Sequence, residues 1–435
     1  MDKVFYNGVI ITANEENDVY SPGYIHVKDE IINEIGEGSP HHITSEGIQF
    51  HNLNGKWVIP GLINTHGHTP MTLLRGHSDD LPLKRWLQEK MWPMEQKLTR
   101  EAVIASSKLA MVEMLKSGTT TFLDMYHLFL DDIANAVDNA GMRAVITRGI
   151  IGLCSREEQK AKLDEAISIA QTWHGKGDGR LTAMLSPHSP YLCPPDFIAE
   201  IASAARELNI PVHTHMSETS QEVEENVLKY GKRPVEHLLN TGFFNGEALV
   251  AHAVHINDEE LDILSQNQVA ISHNPMSNLK LGSGVAPIQK MLQKGITVSV
   301  GTDSVASNNN LDLIQEMRMA VLLQKGVNED PTAVTVDEGI KLITANGAKA
   351  LGLDQKIGSI KKGLDADFVI LDSSAAHLQP KLNALSHIVY SASGADVLDV
   401  YVKGKQLVKD RQCLFLDEEK IFYECNKHYQ MMTIS

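Results

Sequence analysis

Short apolar runs rich in β-branched residues punctuate the chain, and the spacing between them changes twice. Over about the first 55 residues the runs Val4–Ile11 and Tyr24–Val27 are accompanied by turn-like Asn7-Gly8, Lys28-Asp29-Glu30 and Gly36 to Pro40, which predicts a small β unit. From Trp57 onward the runs alternate with amphipathic stretches. Eight are strand-like: Trp57–Asn64, Thr119–Leu123, Arg143–Thr147, Leu181–Leu185, Pro211–Thr214, Ala248–Ala251, Val269–Ser272 and Thr297–Gly301. The intervening Arg100–Lys116, Ser155–Trp173 and Asp196–Leu208 read as helices, the first with Thr99 as N-cap and Gly118 just past its end. Eight strands alternating with helices over roughly 250 residues predict an α/β fold of the (β/α)8 TIM-barrel type. A doubly wound open sheet is the alternative, because strand count does not prove closure. After residue 330 a helical stretch, Asp337–Leu351, leads into Gly358-Ser359-Ile360 and Gly363-Leu364-Asp365-Ala366-Asp367, then strand-like Phe368–Leu371 and Val397–Val402. The two chain ends are expected to combine into a small β-sandwich domain: residues 1–58 and 358–435, the latter with a C-terminal tail, around a barrel of residues 59–357.

The ends of the strand-like runs carry polar residues. In order they reach Thr65-His66-Gly67-His68, Asp124, Arg148, Pro187-His188, His213-Thr214-His215-Met216-Ser217-Glu218, His252-Ala253-Val254-His255, His273-Asn274-Pro275 and Thr302-Asp303-Ser304. In a parallel barrel all these carboxyl ends open on one face, where active sites are built. Imidazole nitrogen and carboxylate oxygen suit zinc and other first-row divalent ions. Residues two apart on a strand share a face, so His66 and His68 form one ligand pair, with His215 a third ligand and Asp303 a fourth. Each piece alone has an ordinary explanation: a solvated histidine pair, a core histidine at 252 or 255, a turn-capping Asp303, or a Glu218 that answers a helix dipole. Their convergence on strand ends drawn from distant parts of the chain favours the metal reading.

Composition narrows the partners. Of 435 residues, 43% are hydrophobic and 22% charged, as in ordinary globular proteins. A formal net charge of -16 repels a phosphate backbone or an anionic membrane surface, so no nucleic-acid or membrane partner is expected. Four scattered cysteines, with no C-x-x-C pair, point to a reducing compartment. With no signal-peptide pattern and no run of about 18 apolar residues, a cytoplasmic location is expected. Self-association into a homo-oligomer is compatible with the sequence. G-x-S-x-G, H-E-x-x-H, Walker A, G-x-G-x-x-G and the H-x-E…P-C-x-x-C signature of nucleic-acid deaminases do not occur.

The run Val58-Ile59-Pro60-Gly61-Leu62-Ile63-Asn64-Thr65-His66-Gly67-His68 resembles the opening metal motif of the amidohydrolase superfamily, and the resemblance covers nearly the whole chain. The passages Leu185–Tyr191, His213–Thr219, Ser272–Lys280 and Gly301–Asn309 look like those of the 5-methylthioadenosine/S-adenosylhomocysteine deaminases. Guanine deaminases and triazine chlorohydrolases share much of this pattern. The resemblance implies His66, His68, His215 and Asp303 as metal ligands and Glu218, His252 and Asp303 as the catalytic groups. It implies Glu95, Arg148 and His188 as substrate contacts, together with Glu218 and Asp303. Ser307 reads as a loop hydroxyl or a further ligand contact. His255 and His273 are read as outer supports of the site residues or as structural. Relatives that hold two metals bridge them with a carboxylated lysine from about strand four. Leu181 to Pro190 contains no lysine, which implies one ion per chain, zinc first, with Fe2+ and Mn2+ as alternatives.

The implied reaction is hydrolytic deamination of an adenine nucleoside, 5-methylthioadenosine or S-adenosylhomocysteine, to the inosine analogue and ammonia. Water made acidic by the metal attacks ring carbon C6, Asp303 takes its proton, His252 orients it, and Glu218 protonates N1. Glu95 would hold the ribose hydroxyls, and Arg148 a substrate carboxylate. Two other readings stand beside this one: a related hydrolase acting on another heteroaromatic ring (guanine, cytosine or a triazine), and a non-catalytic amidohydrolase-like scaffold.

Overall fold

The computed structural model describes residues 2–44 and 46–434. The first strands are β1 (Asp2–Ile11), β2 (Val19–Lys28), β3 (Ile31–Glu37), β4 (Gln49–Asn52) and β5 (Trp57–Pro60). The barrel strands are β6 (Leu62–Asn64), β7 (Thr119–Tyr126), β8 (Arg143–Ile150), β9 (Leu181–Pro187), β10 (Val212–Met216), β11 (Ala248–His252), β12 (Ala270–His273) and β13 (Val298–Val300). The chain then adds β14 (Phe368–Leu371), β15 (Val397–Val402), β16 (Lys405–Lys409) and β17 (Gln412–Cys413).

Strands β6 to β13 pair in sequence order, every pair parallel. Closure is explicit at the seam. Thr65 N donates to Val300 O at 3.3 Å and Asp303 N to His66 O at 2.9 Å. Asn64 Nδ2 donates to Thr302 Oγ1 at 2.8 Å while Asn64 Oδ1 accepts from Thr302 N at 3.0 Å. The alternation along β8 separates two cores: Val145 faces the interior with Leu123, Met125, Met184 and Leu249, whereas Ala144 and Ile146 face the surrounding helices. The helix Arg100–Lys116 begins as the sequence predicts, with Thr99 Oγ1 accepting from Ala102 N at 3.2 Å.

The terminal strands form one hydrogen-bonded sheet in the order β17-β16-β15-β14-β5-β1-β2-β3, with β4 branching from β1. β1 pairs with β4 over Lys3–Tyr6 and with β5 at Val9–Ile10, so the sheet folds over itself there. Phe5 thereby packs on Phe368 and Tyr401, with ring centroids 5.0 and 5.1 Å away. The expected sandwich is thus built from a single curled sheet. The re-entry passage has a partner that explains it. Buried Arg143, at the start of β8, donates to Asp365 and Asp367 at 2.6 Å each and ties barrel to sheet.

The run Trp57–Asn64, continuous in sequence, is two strands in two sheets. Gly61 is the crossing point. A Cβ there would lie 2.6 Å from Thr120 Cγ2 on fully buried β7. We expect Gly61→Ala to lower stability by about 1–3 kcal/mol through overpacking, read from the denaturant midpoint. An unchanged midpoint would show that Thr120 yields freely. Among the described residues no helix is long and apolar enough to cross a membrane.

Candidate metal centre and active site

Five side chains meet at the carboxyl ends of the barrel strands. One ligand-capable atom each from His66, His215, His252 and Asp303 lies within 4.8 Å of the others. His68 reaches the same point: its Nε2 is 3.3 Å from Asp303 Oδ1, against 3.4 Å for His66 Nε2. The tightest cluster holds His252, and not His68, beside three of the four expected ligands, His66, His215 and Asp303.

Hydrogen bonds behind the rings fix which nitrogen faces inward. His68 Nδ1 donates to Met125 O at 2.6 Å, and His215 Nδ1 to His188 O at 2.7 Å. His213 Nδ1 donates to Leu249 O at 3.0 Å. A carbonyl only accepts, so each of these Nδ1 atoms carries a proton. His213 Nε2 is therefore a lone pair, and it accepts from His66 Nδ1 at 2.9 Å. The Nε2 lone pairs of His66, His68 and His215 are left pointing into the site, and His66 Nε2 is buried with no hydrogen-bond partner among the described residues. Such outer partners are the usual way metal-binding imidazoles are oriented. An N3O set of this chemistry fits a divalent ion. His252 is held in the same way, its Nδ1 2.8 Å from Asn278 Oδ1, and its Nε2 lies 3.7 Å from Glu218 Oε2.

Burial keeps most of these rings neutral, as ligation requires: His66 is pushed down to about 4, and His215 and His213 well below the usual range. His68 departs from this, because Asp303 and the Met125 carbonyl outweigh burial and raise it. Burial also opposes the Asp303 charge, but the imidazoles of His66 and His68 beside it prevail and hold its carboxyl well below the carboxylate range. Burial, then the charge of Asp303, pushes Glu218 up to about 8, so this carboxyl carries a proton at neutral pH. Its backbone is fixed by Glu222, whose oxygens accept from Ser217 N at 2.9 Å and Glu218 N at 2.7 Å.

A cavity of about 520 Å³ opens over these groups. Glu95, His188, Glu218, His252, Asp303 and Ser307 line its polar end, and Leu83, Trp86, Leu87, Trp92 and Leu98 supply an apolar wall. Glu95 Oε1 accepts from Tyr126 Oη at 2.8 Å, and burial raises its pKa. His188 stacks on His215 with centroids 4.5 Å apart, and its Nδ1 is buried without a partner among the described residues. The apolar wall is a helical run, Leu83–Trp86 and Trp92–Glu95 with a π-turn at Leu87–Met91 between them.

Two expected substrate contacts sit differently. Arg148 shares the outward row of β8 with Ala144 and Ile146, so it stands behind the cavity wall, where Nε donates to Glu165 Oε2 at 2.9 Å and Nη1 to Gly149 O at 2.7 Å. Ser307 lines the cavity, yet its hydroxyl is 3.0 Å from Asp303 Oδ2. Asp124 anchors the loop after β6, accepting from Thr69 N at 2.7 Å and Thr69 Oγ1 at 2.8 Å. His255 is structural as expected, with Nε2 on Ser283 O at 2.6 Å. Sequence reasoning passed over Ser277, Asn278, Glu222 and Tyr126. Ser277, Asn278 and Glu222 show in the sequence only as polar residues a turn or more beyond a strand end, and Tyr126 only as the last residue of β7.

Comparison with known proteins agrees with this geometry. The amidohydrolase family matches residues 57–407. A 5-methylthioadenosine/S-adenosylhomocysteine deaminase of Halalkalibacterium halodurans is 52% identical, covering 99% of this chain and 98% of its own. A protein of the same name from Bacillus cytotoxicus is 44% identical, covering 98% and 99%. Among solved structures, an adenosine deaminase from Xanthomonas campestris with bound zinc superposes with a TM-score of 0.94 at 31% identity, over 100% of this chain and 99% of that one. Atrazine chlorohydrolase from Arthrobacter aurescens, complexed with zinc, shares the fold with a TM-score of 0.89 at 21% identity, over 98% and 100%. With full-length matches at this identity and a histidine–aspartate centre at the strand ends, the chain belongs to the amidohydrolase family.

Proposed function

We propose that this protein is a zinc-dependent deaminase that converts 5-methylthioadenosine and S-adenosylhomocysteine to their inosine analogues and ammonia. The observation that carries the reading is the meeting of inward Nε2 atoms and Asp303 with the buried Glu218 carboxyl, 3.7 Å from His252 Nε2, in one cavity. His66, His68, His215 and Asp303 are the ligands. His68 is preferred to His252 because its Nε2 approaches Asp303 Oδ1 as closely as that of His66, whereas His252 Nε2 faces Glu218. These four residues would hold a divalent ion, which would lower the pKa of water toward about 7 and so make a nucleophile available. Asp303 accepts the proton that water gives up, and His252 orients the attacking oxygen toward C6. Glu218 donates to N1, and the carboxyl groups return a proton to the departing ammonia. Glu95, supported by Tyr126, accepts from the ribose hydroxyls, and His188 contacts the nucleoside from the cavity wall. Ammonia release across a panel of both nucleosides, adenosine, guanine and a chlorotriazine tests the assignment. Release from the two sulfur nucleosides is expected. Turnover of guanine or the triazine alone would overturn it.

Arg148 acts from behind the wall. Burial, then the charges of nearby groups led by Arg148 and including Lys162, pushes cavity-lining His127 down to about 4, so both cations lie near this rim. A carboxylate on the substrate's sulfur arm would meet that field. At an effective dielectric near 20, two unit charges about 10 Å apart interact by roughly 1–2 kcal/mol, about 10-fold in a rate ratio. Arg148→Met is expected to cut kcat/KM by that order for S-adenosylhomocysteine and only a few-fold for 5-methylthioadenosine. Equal losses for both would leave Arg148 a purely structural partner of Glu165.

A further inference from the structure

Asp303 has two oxygens in different surroundings. Oδ1 faces His66 and His68, while Oδ2 is met by Ser277 Oγ at 2.5 Å and Ser307 Oγ at 3.0 Å. The two hydroxyls are 2.8 Å apart and both serines are buried. Ser277 stands in the helix Pro275–Lys280 that follows β12, and Ser307 in Val305–Asn308 after β13. Both turns are tied to one fully buried carboxylate. Glu316 accepts from Met276 N at 3.3 Å and from Asn308 Nδ2, the residues beside Ser277 and Ser307. Asp303 itself has φ 60°, a left-handed conformation uncommon outside glycine, so its direction depends on such surroundings.

We propose that Ser277 is a positioning residue of the reaction: its hydroxyl occupies Asp303 Oδ2, so that Oδ1 alone is offered to the cation. The inference rests on the ligand set given above and adds a residue to it. A hydroxyl with one proton can make one donation, and the Ser277 contact is the shorter of the two. Ser307 divides its proton between Oδ2 and Ser304 O at 3.1 Å. Without Ser277 the carboxylate is held at Oδ2 by that shared bond only. It can then turn and offer both oxygens to a bound cation, adding a donor to the three nitrogens, one oxygen and one water the site would supply.

The test uses full-length protein carrying Ser277→Ala, Ser277→Thr or Asp303→Ala, with chelator competition against Zn2+ and Co2+ and the visible absorption of the Co2+ form. Ser277→Ala is expected to weaken metal binding about 10- to 100-fold, as loss of an outer-shell partner does. Its Co2+ bands should weaken as coordination rises above that of the wild type, and kcat should fall with KM nearly unchanged. Ser277→Thr, which restores the hydroxyl, should recover affinity and spectrum. If Ser277→Ala does not fold, Ser277→Cys, of similar size with a weak donor, takes its place with the same expectations. Full metal retention by Asp303→Ala would overturn the ligand set. Metal loss in Asp303→Ala with wild-type affinity and spectrum in the Ser277 variant would overturn the role of Ser277 alone.

Discussion

Glu218→Gln should leave a folded, metal-loaded protein whose kcat has dropped roughly 100- to 10,000-fold, the usual contribution of a positioned general acid. The amide has the size of the carboxyl and keeps an N–H to offer the ring nitrogen, so KM should hardly move. What it lacks is a proton it can release. The wild-type group is prepared for release: burial and Asp303 raise its pKa to about 8, and Glu222 grips the backbone on both sides of its amide. Steady-state rates with the two sulfur nucleosides, beside metal content, decide the matter. A variant within a few-fold of wild type would move the acid role to another group, with His252, 3.7 Å away, the next to test.

His215→Ala should abolish turnover through the metal. The wild-type protein is expected to carry about one zinc per chain and the variant little of it, because His215 is the only proposed ligand from β10. Without the ion the pKa of water returns from about 7 to about 15.7, and hydroxide at neutral pH becomes scarce. Chelation of the wild-type protein should mimic the variant, and added zinc should restore only the former. Metal analysis near two per chain, or full retention in His215→Ala, would overturn the mononuclear assignment.

Much of this centre can be read from the chain because barrel strands turn a one-dimensional pattern into a shared face. His66, His68, His215, His252 and Asp303 each end a strand-like run, and parallel closure brings such ends together. What could not be read depended on side-chain direction. The run from Trp57 to Ile63 is apolar throughout, and only Pro60-Gly61 hints that it changes sheets. The alternation that puts Ala144 and Ile146 against helices also assigns Arg148 to the outer row, but a strand's last residues often escape that rule where loops begin. Ser277 and Asn278 were hidden because serine and asparagine one turn past a strand are common caps. Their task emerges only when Asp303 and His252 arrive from other strands. The wall carrying Trp86 and Trp92 rests on a π-turn, which has no dependable sequence signature.

The seam where β6 meets β13 gives the ion a second part to play, in the statistics of the chain. Asn64 and Thr302 clasp each other across 238 positions, and the proposed ligands His66, His68 and Asp303 lie on either side of the same join. An ion between them ties off a loop that contains almost the whole barrel, as a removable staple would. The entropy lost in tying such a loop grows only with the logarithm of its length, so a long loop costs little more than a short one. Free zinc at about 100 times its Kd would then add about 2.7 kcal/mol to folding. Stripped protein should unzip first at this join, with the Asp303 amide exchanging its hydrogen ahead of those in β8 and β9, and its melting temperature should climb with free zinc concentration.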